Sequence, residues 1–283
     1  MIELRDASVV ATTHDGETTI LHPTSLALSE RRVSIIGANG SGKSTLARLL
    51  NGLVEPSSGS VTITAQETAG AGAEAAANAS AMGGGSGGTP AGARDPRPLD
   101  TRRDGAAVRR RVGFVFTDPA AQLIMPTSVE DVMLSLRRAH RDKRARRDAA
   151  LAVLDRFGLA DLADRSVHTL SGGQKQLLAI ASVLATDPAI LVADEPTTLL
   201  DLRNARMIGD LLMALPQQLV VVTHDLELAA RADRTLVVEA ARVVFDGKPA
   251  AAIAHYRELS GAPSAPSADT AGSSPNSPAE ERP

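Results

Sequence analysis

Cysteine is absent from all 283 residues, which excludes disulfide bonds, thiolate nucleophiles and cysteine-held metal sites and suits a reducing compartment. Tryptophan is absent too, and aromatic residues make up only 2% of the chain. Stacking platforms for sugars or single-stranded nucleic acid would have to be built from almost nothing. A basic excess is also missing: 30 Lys and Arg face 33 Asp and Glu, a formal charge of −3, so the footprint expected of a nucleic-acid binder is not there. Long hydrophobic runs are lacking as well. The most apolar helical stretch, residues 177–185, meets Thr186-Asp187-Pro188 well short of the roughly 20 residues that span a bilayer. The opening Met1-Ile2-Glu3-Leu4-Arg5-Asp6 has neither a basic nor an apolar leader region, so a cytoplasmic location is expected. Any role in transport would need a separate membrane-embedded partner.

What is present is unevenly spread. Residues 65–105 form an Ala/Gly/Ser tract with Gly83-Gly84-Gly85, too poor in large apolar side chains to offset the entropy of ordering it, and are read as a disordered insertion. Residues 261–283, rich in Pro, Ser and Ala, read as a disordered tail. Roughly 220 residues remain, enough for one α/β unit with an inserted subdomain. Strand patterns at 2–10, 19–28, 33–36, 60–64, 112–116, 190–193, 219–222, 235–239 and 242–245 alternate with helical patterns at 43–51, 128–138, 144–157, 172–184, 202–212 and 226–232. Such alternation predicts an α/β fold with a mainly parallel sheet covered on both faces, whose ligands sit at the carboxyl ends of the strands.

Gly37-Ala38-Asn39-Gly40-Ser41-Gly42-Lys43-Ser44 fits G-x-x-x-x-G-K-[ST] and lies between a predicted strand and a predicted helix, as a phosphate-binding P-loop requires. Its glycines let backbone N–H groups face phosphate oxygens, and the helix N-terminus adds partial positive charge. Lys43 then reaches the β and γ phosphates, the Ser44 hydroxyl ligates Mg²⁺, and Thr45 is placed for the α-phosphate. The chain has only four lysines, Lys43, Lys143, Lys175 and Lys248, and one stands here, where the planar fork of Arg is a poor replacement for a compact ammonium.

Ile190-Leu191-Val192-Ala193-Asp194-Glu195 puts two carboxylates directly after a buried strand. Asp194 is expected to hold Mg²⁺ through its water shell, and Glu195 to orient or deprotonate the water that attacks the γ-phosphate. Taken alone, the pair also fits a helix N-cap, since Pro196 and Thr197 follow. Leu170-Ser171-Gly172-Gly173-Gln174 is a second glycine-bearing helix start with Ser171 at the N-cap. By itself it also suits an ordinary capped helix. Beside a complete P-loop, it suggests that two chains share each nucleotide.

The P-loop, Leu170 to Gln174, Ile190 to Glu195 and a downstream Thr223-His224-Asp225 stand in the order of the ATP-binding cassette (ABC) ATPases, and the chain resembles that family over about residues 1–64 and 108–258. The resemblance implies a P-loop NTPase core with a mainly parallel sheet, an antiparallel β subdomain and an inserted α-helical subdomain at about 118–175, all within an ATPase domain of 1–260. It implies ATP and Mg²⁺ as cofactors, with Ser44 and Asp194 on the metal. It also implies a head-to-tail pair of ATPase subunits, identical or not. Gly37, Asn39, Gly40, Ser41, Gly42, Lys43, Ser44 and Thr45 of one subunit would face Ser171, Gly173 and Gln174 of the other, with Asp201 of Leu199-Leu200-Asp201 crossing between them. Glu195, His224 and Lys43 would carry catalysis, His224 as the γ-phosphate switch.

Two departures stand out. Family members usually carry Gln after the strand at 112–116; here Thr117 stands there, with Gln122 downstream as a substitute or as a loop support. The aromatic that usually stacks on adenine is missing from residues 9–14, leaving Val10 or His14, so comparable efficiency with ATP and GTP is expected. Thr117 to Gln122 and Met125 to Val132 are similar to ATPase subunits of energy-coupling factor importers and their cobalt, nickel and biotin relatives, the Thr most like the biotin type. That implies a subunit peripheral to the cytoplasmic face of a membrane, a transmembrane partner whose coupling helix enters a groove of the helical subdomain, a substrate-binding membrane component, and no nucleic acid. The alternative is a soluble ABC ATPase of DNA repair or translation, but the coiled-coil insertion or second cassette typical of those is lacking. A P-loop kinase would not need the Ser171 to Gln174 segment. The run from Arg137 to Arg144 is interrupted by Asp142 and reads as a solvated helix end or turn.

Overall fold

The computed structural model describes residues 1–14, 16–64 and 97–261. The chain opens with an antiparallel hairpin of β1 (Ile2–Thr13) and β2 (Gly16–Leu28). Pro23 falls in the outer strand β2 at the register shift between the Ala7–Thr24 and Val9–Leu21 pairs, where the regular ladder is already interrupted. β3 (Arg32–Ile36) then enters a second sheet, α1 (Lys43–Asn51) follows, and β4 (Ser58–Ile63) returns to pair with β1.

The expected coil of residues 65–96 lies outside the described residues, as does the tail from 262. Its far boundary needs correction. Residues 97–105 are folded: β5 (Leu99–Asp100) pairs with β4, Leu99 is buried in the core, and Arg97 grips Asp104 through both guanidinium nitrogens at 2.9 and 3.3 Å. A two-residue strand with one core side chain leaves no periodicity to read.

Next come α2 (Gly105–Arg111), β6 (Val112–Val115), α3 (Ser128–Ser135), α4 (Lys143–Arg156), α5 (Gly172–Leu184), β7 (Ile190–Asp194), α6 (Leu202–Ala214), β8 (Gln218–Val222), α7 (Leu226–Ala229), β9 (Arg234–Glu239), β10 (Arg242–Gly247) and α8 (Pro249–Leu259). The four-stranded sheet has the order β2-β1-β4-β5 and is antiparallel. The six-stranded sheet has the order β10-β9-β3-β8-β7-β6, parallel except for the β9–β10 hairpin. All of its parallel strands therefore end on one edge, where Gly37, Phe116, Glu195 and Thr223 begin the loops.

Successive residues of this sheet feed opposite cores, as a strand period of two dictates. Ile190 and Val192 of β7, with Val220 and Val222 of β8, face a core shared with the antiparallel sheet and α1. Leu191, Ala193, Leu219 and Val221 face α5 and α6. A separate core around Val132, Leu154, Leu159 and Leu178 makes the helical subdomain a unit of its own. Leu46, Leu49 and Leu50 of α1 are fully buried, and truncating one to Ala would cost about 2–5 kcal/mol. That packing holds the first residues of α1 against the ends of the strands.

Candidate functional site

The P-loop is packed from behind and open in front. A Cβ added to Gly37 (φ 151°) would stand 2.0 Å from the Val238 carbonyl oxygen, and one on Gly42 (φ 103°) 2.9 Å from that of Ile20. At Gly40 (φ 77°) nothing lies within 4 Å. Ala241 N–H donates to the Ser41 carbonyl at 3.0 Å, tying the loop to the β9–β10 turn, in which Ala240 and Ala241 both adopt positive φ. Asn39 and Gly40 are exposed, and the buried Ser41 Oγ has no hydrogen-bond partner among the described residues. α1 starts at Lys43 with no side-chain cap and no acid in its first turn, so its leading N–H groups and positive dipole end stay available. A cradle of this shape and donor chemistry fits a chain of phosphates.

Lys43 is only 5% exposed, and its Nζ donates to the Gly37 and Ala38 carbonyls at 2.8 Å each. Burial holds its pKa below the ordinary lysine value, against the pull of Glu195, Asp194 and Glu239. Ser44 Oγ donates to Asp194 Oδ1 at 2.9 Å, and Arg48 Nη2 lies 3.9 Å from Oδ2. Ser44 and Arg48 are four residues apart and so share one face of α1. Asp194 is 2% exposed; burial raises its pKa, opposed by the Ser44 bond and the Arg48 charge. A hydroxyl and a carboxylate already in contact suit a small hard cation that completes its shell with phosphate and water. Thr45, one residue on, is half-buried.

Glu195 has a left-handed backbone, φ 50°. Pro196 disfavours the right-handed helical region for it, and its N–H continues the β7–β8 ladder to the Val222 carbonyl at 3.0 Å. Its carboxylate meets His224 from the end of β8: Oε2 lies 2.7 Å from Nδ1 and accepts the His224 backbone N–H at 3.4 Å. Thr198 Oγ1 donates to the same Oε2 at 2.8 Å.

Thr117 Oγ1 donates to the Asp194 carbonyl at 2.9 Å, so its hydroxyl is spent on the strand end beside the site. Gln122 is a brace. Its Oε1 accepts the Phe116 N–H at 3.2 Å and its Nε2 donates to the Ala179 carbonyl of α5 at 3.0 Å, joining β6 to the helical subdomain. Val10, 37% exposed on β1, is tied through its N–H to Ser57 Oγ.

A second group forms where α5 and α6 begin. Ser171 Oγ accepts the Gln174 N–H at 3.3 Å and Gln174 Oε1 accepts the Ser171 N–H at 2.9 Å, a complete capping box. Asp201 caps α6 through Asn204 N at 2.8 Å and also accepts Asn204 Nδ2 at 2.9 Å. A Cβ on Gly173 would stand 2.7 Å from the Asn204 amide. Among the described residues, no hydrogen bond or ion pair joins Ser171, Gly173, Gln174 or Asp201 to the P-loop, Asp194, Glu195 or His224. One chain thus brings together two groups, not one. The sequence reading passed over Arg48 and Thr198. The i+4 spacing of Arg48 from Ser44 was an available signal, whereas only the turn after Glu195 reveals Thr198.

A family model described as ABC transporter matches residues 21–198. A protein of Deinococcus radiodurans named as an ABC transporter ATP-binding protein is 41% identical over 258 residues, 91% of this chain and 98% of its own. The biotin transport ATP-binding protein BioM of Rhizobium etli is 38% identical, covering 86% and 94%, and the nickel import ATP-binding protein NikO of Rhodobacter capsulatus 37%, covering 79% and 81%. Among solved structures, a dimeric ATP-binding cassette in a post-hydrolysis state with ADP and Pi superposes with a TM-score of 0.69 at 29% identity, over 88% of this chain and 99% of its own. The cassette cbiO1 of Clostridium perfringens, part of an ABC transporter complex, gives 0.68 at 28% identity, over 92% and 93%.

Proposed function

The chain belongs to the ABC transporter ATP-binding family and is an ATPase of that family, and from this we propose that it energises an importer of the energy-coupling factor type, with biotin the favoured cargo. The observation that carries the reading is the line of groups along the sheet edge: an open glycine cradle, buried Lys43, Ser44 against Asp194, and Glu195 beyond them. Lys43 exchanges its two carbonyl partners for phosphate oxygens when ATP enters, placing a preorganised positive charge where negative charge builds in the transition state. Ser44 and Asp194 would hold Mg²⁺, which neutralises phosphate charge when bound. Glu195 takes the proton of the attacking water through the oxygen that His224 leaves free.

Ser171, Gly173, Gln174 and Asp201 serve the nucleotide of a second subunit, which explains why they stand apart from this chain's own cradle. A cavity of about 260 Å³ lined by Met125, Glu130, Met133 and Arg146 in the helical subdomain suits a coupling helix of a transmembrane partner. No described helix is long and apolar enough to cross a membrane, so peripheral attachment through that partner is the arrangement proposed. The R. etli and R. capsulatus relatives favour a vitamin or metal cargo.

Glu195→Gln is the direct test. ATP should still bind, turnover should fall at least about 100-fold, and ATP should trap a dimer visible by size-exclusion chromatography. Near-normal turnover would remove Glu195 from its role. Co-purification with the attached membrane proteins and mass spectrometry of the bound ligand tests biotin.

A further inference from the structure

Every hydrogen bond to the Glu195 carboxylate from the described residues lands on Oε2: His224 Nδ1 at 2.7 Å, Thr198 Oγ1 at 2.8 Å and the His224 backbone N–H at 3.4 Å. Oε1 is left for the water. The two side-chain donors differ in what else they must do. A neutral imidazole has one N–H, and if Nδ1–H is given to Glu195, Nε2 is an acceptor that repels a phosphate oxygen. For His224 to donate to the γ-phosphate, the switch role that the family resemblance implies, a neutral ring must release Glu195. Thr198 has no such conflict. It is fixed by the turn that starts at Glu195, whose carbonyl accepts the Thr198 N–H at 3.3 Å, and its hydroxyl reaches back to the side chain of the same residue. This closed turn also contains Pro196, which restrains the backbone between them.

We propose that Thr198 is a positioning residue for ATP hydrolysis: its hydroxyl keeps Oε2 of Glu195 anchored, and Oε1 aimed at the attacking water, while His224 is engaged with the nucleotide. The inference rests on the assignment of Glu195 as the base and deepens it. The role assigned to Thr198 runs through its bond to Glu195. It is exposed in the single chain, so replacing it leaves the core untouched.

The test is steady-state ATPase kinetics of the full chain with Thr198→Val, which keeps the shape and removes the donor, and Thr198→Ser, which keeps the donor. The Val variant should lose about ten-fold in kcat, the scale of one hydrogen bond to a charged group, with KM and equilibrium ATP binding within about two-fold of the parent. The Ser variant should return to within about two-fold of the parent kcat. A Val variant with parental kcat, a Ser variant as slow as the Val variant, or a loss confined to KM would each overturn the proposal. Glu195→Gln run alongside separates the two levels. If it is inactive while Thr198→Val is normal, only the role of Thr198 falls; if it turns over freely, the base assignment itself falls.

Discussion

The starts of α1 and α5 are both helix N-termini with glycines beside them, and they are built in opposite ways. At α1 no side chain among the described residues caps the helix, Gly42 takes a left-handed backbone, and the leading N–H groups are left without a side-chain acceptor. At α5 the Ser171 and Gln174 side chains close the helix start on itself. The first is a finished anion cradle, stiffened by the Val238 carbonyl behind Gly37 and by the buried leucines of α1. The second satisfies its own leading N–H groups, and the Ser171 hydroxyl, which acts in the cap only as an acceptor, still has its O–H to donate. The difference teaches a division of labour. In the proposed function the α1 side offers uncapped backbone N–H groups, with Lys43 changing its carbonyl partners for phosphate, while the α5 side, its own N–H groups already capped, offers the Ser171 hydroxyl to the nucleotide of a second subunit.

The sharpest separation of the two sides comes from Lys43→Ala. It should lower the hydrolysis rate about 100-fold or more, roughly 3 kcal/mol, and weaken ATP binding to the single chain, checked by ATPase assay and calorimetry. Gly173→Ala attacks the other side. Its Cβ would displace the Asn204 amide and break that side chain's bond to Asp201, so ATPase activity should fall about ten-fold while ATP affinity of the single chain stays within about two-fold. Equal losses of affinity in both variants would end the comparison. A smaller effect is expected at the seam between sides: Thr117→Val removes the bond to the Asp194 carbonyl and should cost about 1 kcal/mol in a urea titration. Deleting residues 71–92 should change neither side. The flanking strands are paired directly, Ile63 to Leu99, and about a dozen connecting residues would still close that turn, so ATPase activity should stay within about two-fold.

The α1 side was legible residue by residue because its chemistry is local: a strand, a glycine turn and a helix start lie within one short segment. The strands of the parallel sheet were legible for a related reason, since burial on both faces demands near-continuous apolar runs such as Ile190 to Ala193. Elements with little core of their own were not. α2 buries only Val108 among arginines, and β5 owes its existence to β4. α8 did carry a signal in Pro249 at its first turn ahead of an alanine run. Thr117 and Gln122 were recognised as an unusual pair, but which of them faces the site could not be read from spacing. Both hydrogen-bond to backbone far along the chain, at Asp194 and Ala179.

By itself the sequence determined the class of chemistry, because a phosphate cradle and a paired carboxylate are written in consecutive residues whose backbone requirements are local. The tertiary structure decided how those parts are held. Glu195 and His224 meet only because parallel β7 and β8 end side by side, and Asp194 reaches Ser44 only because buried leucines press α1 against the sheet. Thr198 turns back on Glu195 because a left-handed residue before proline bends the chain there, and Ser171 stays apart from Lys43 because the chain leading into its helix, at Leu170, packs in the core of the helical subdomain. Contacts between distant residues follow from strand order and packing, which no short window of sequence contains.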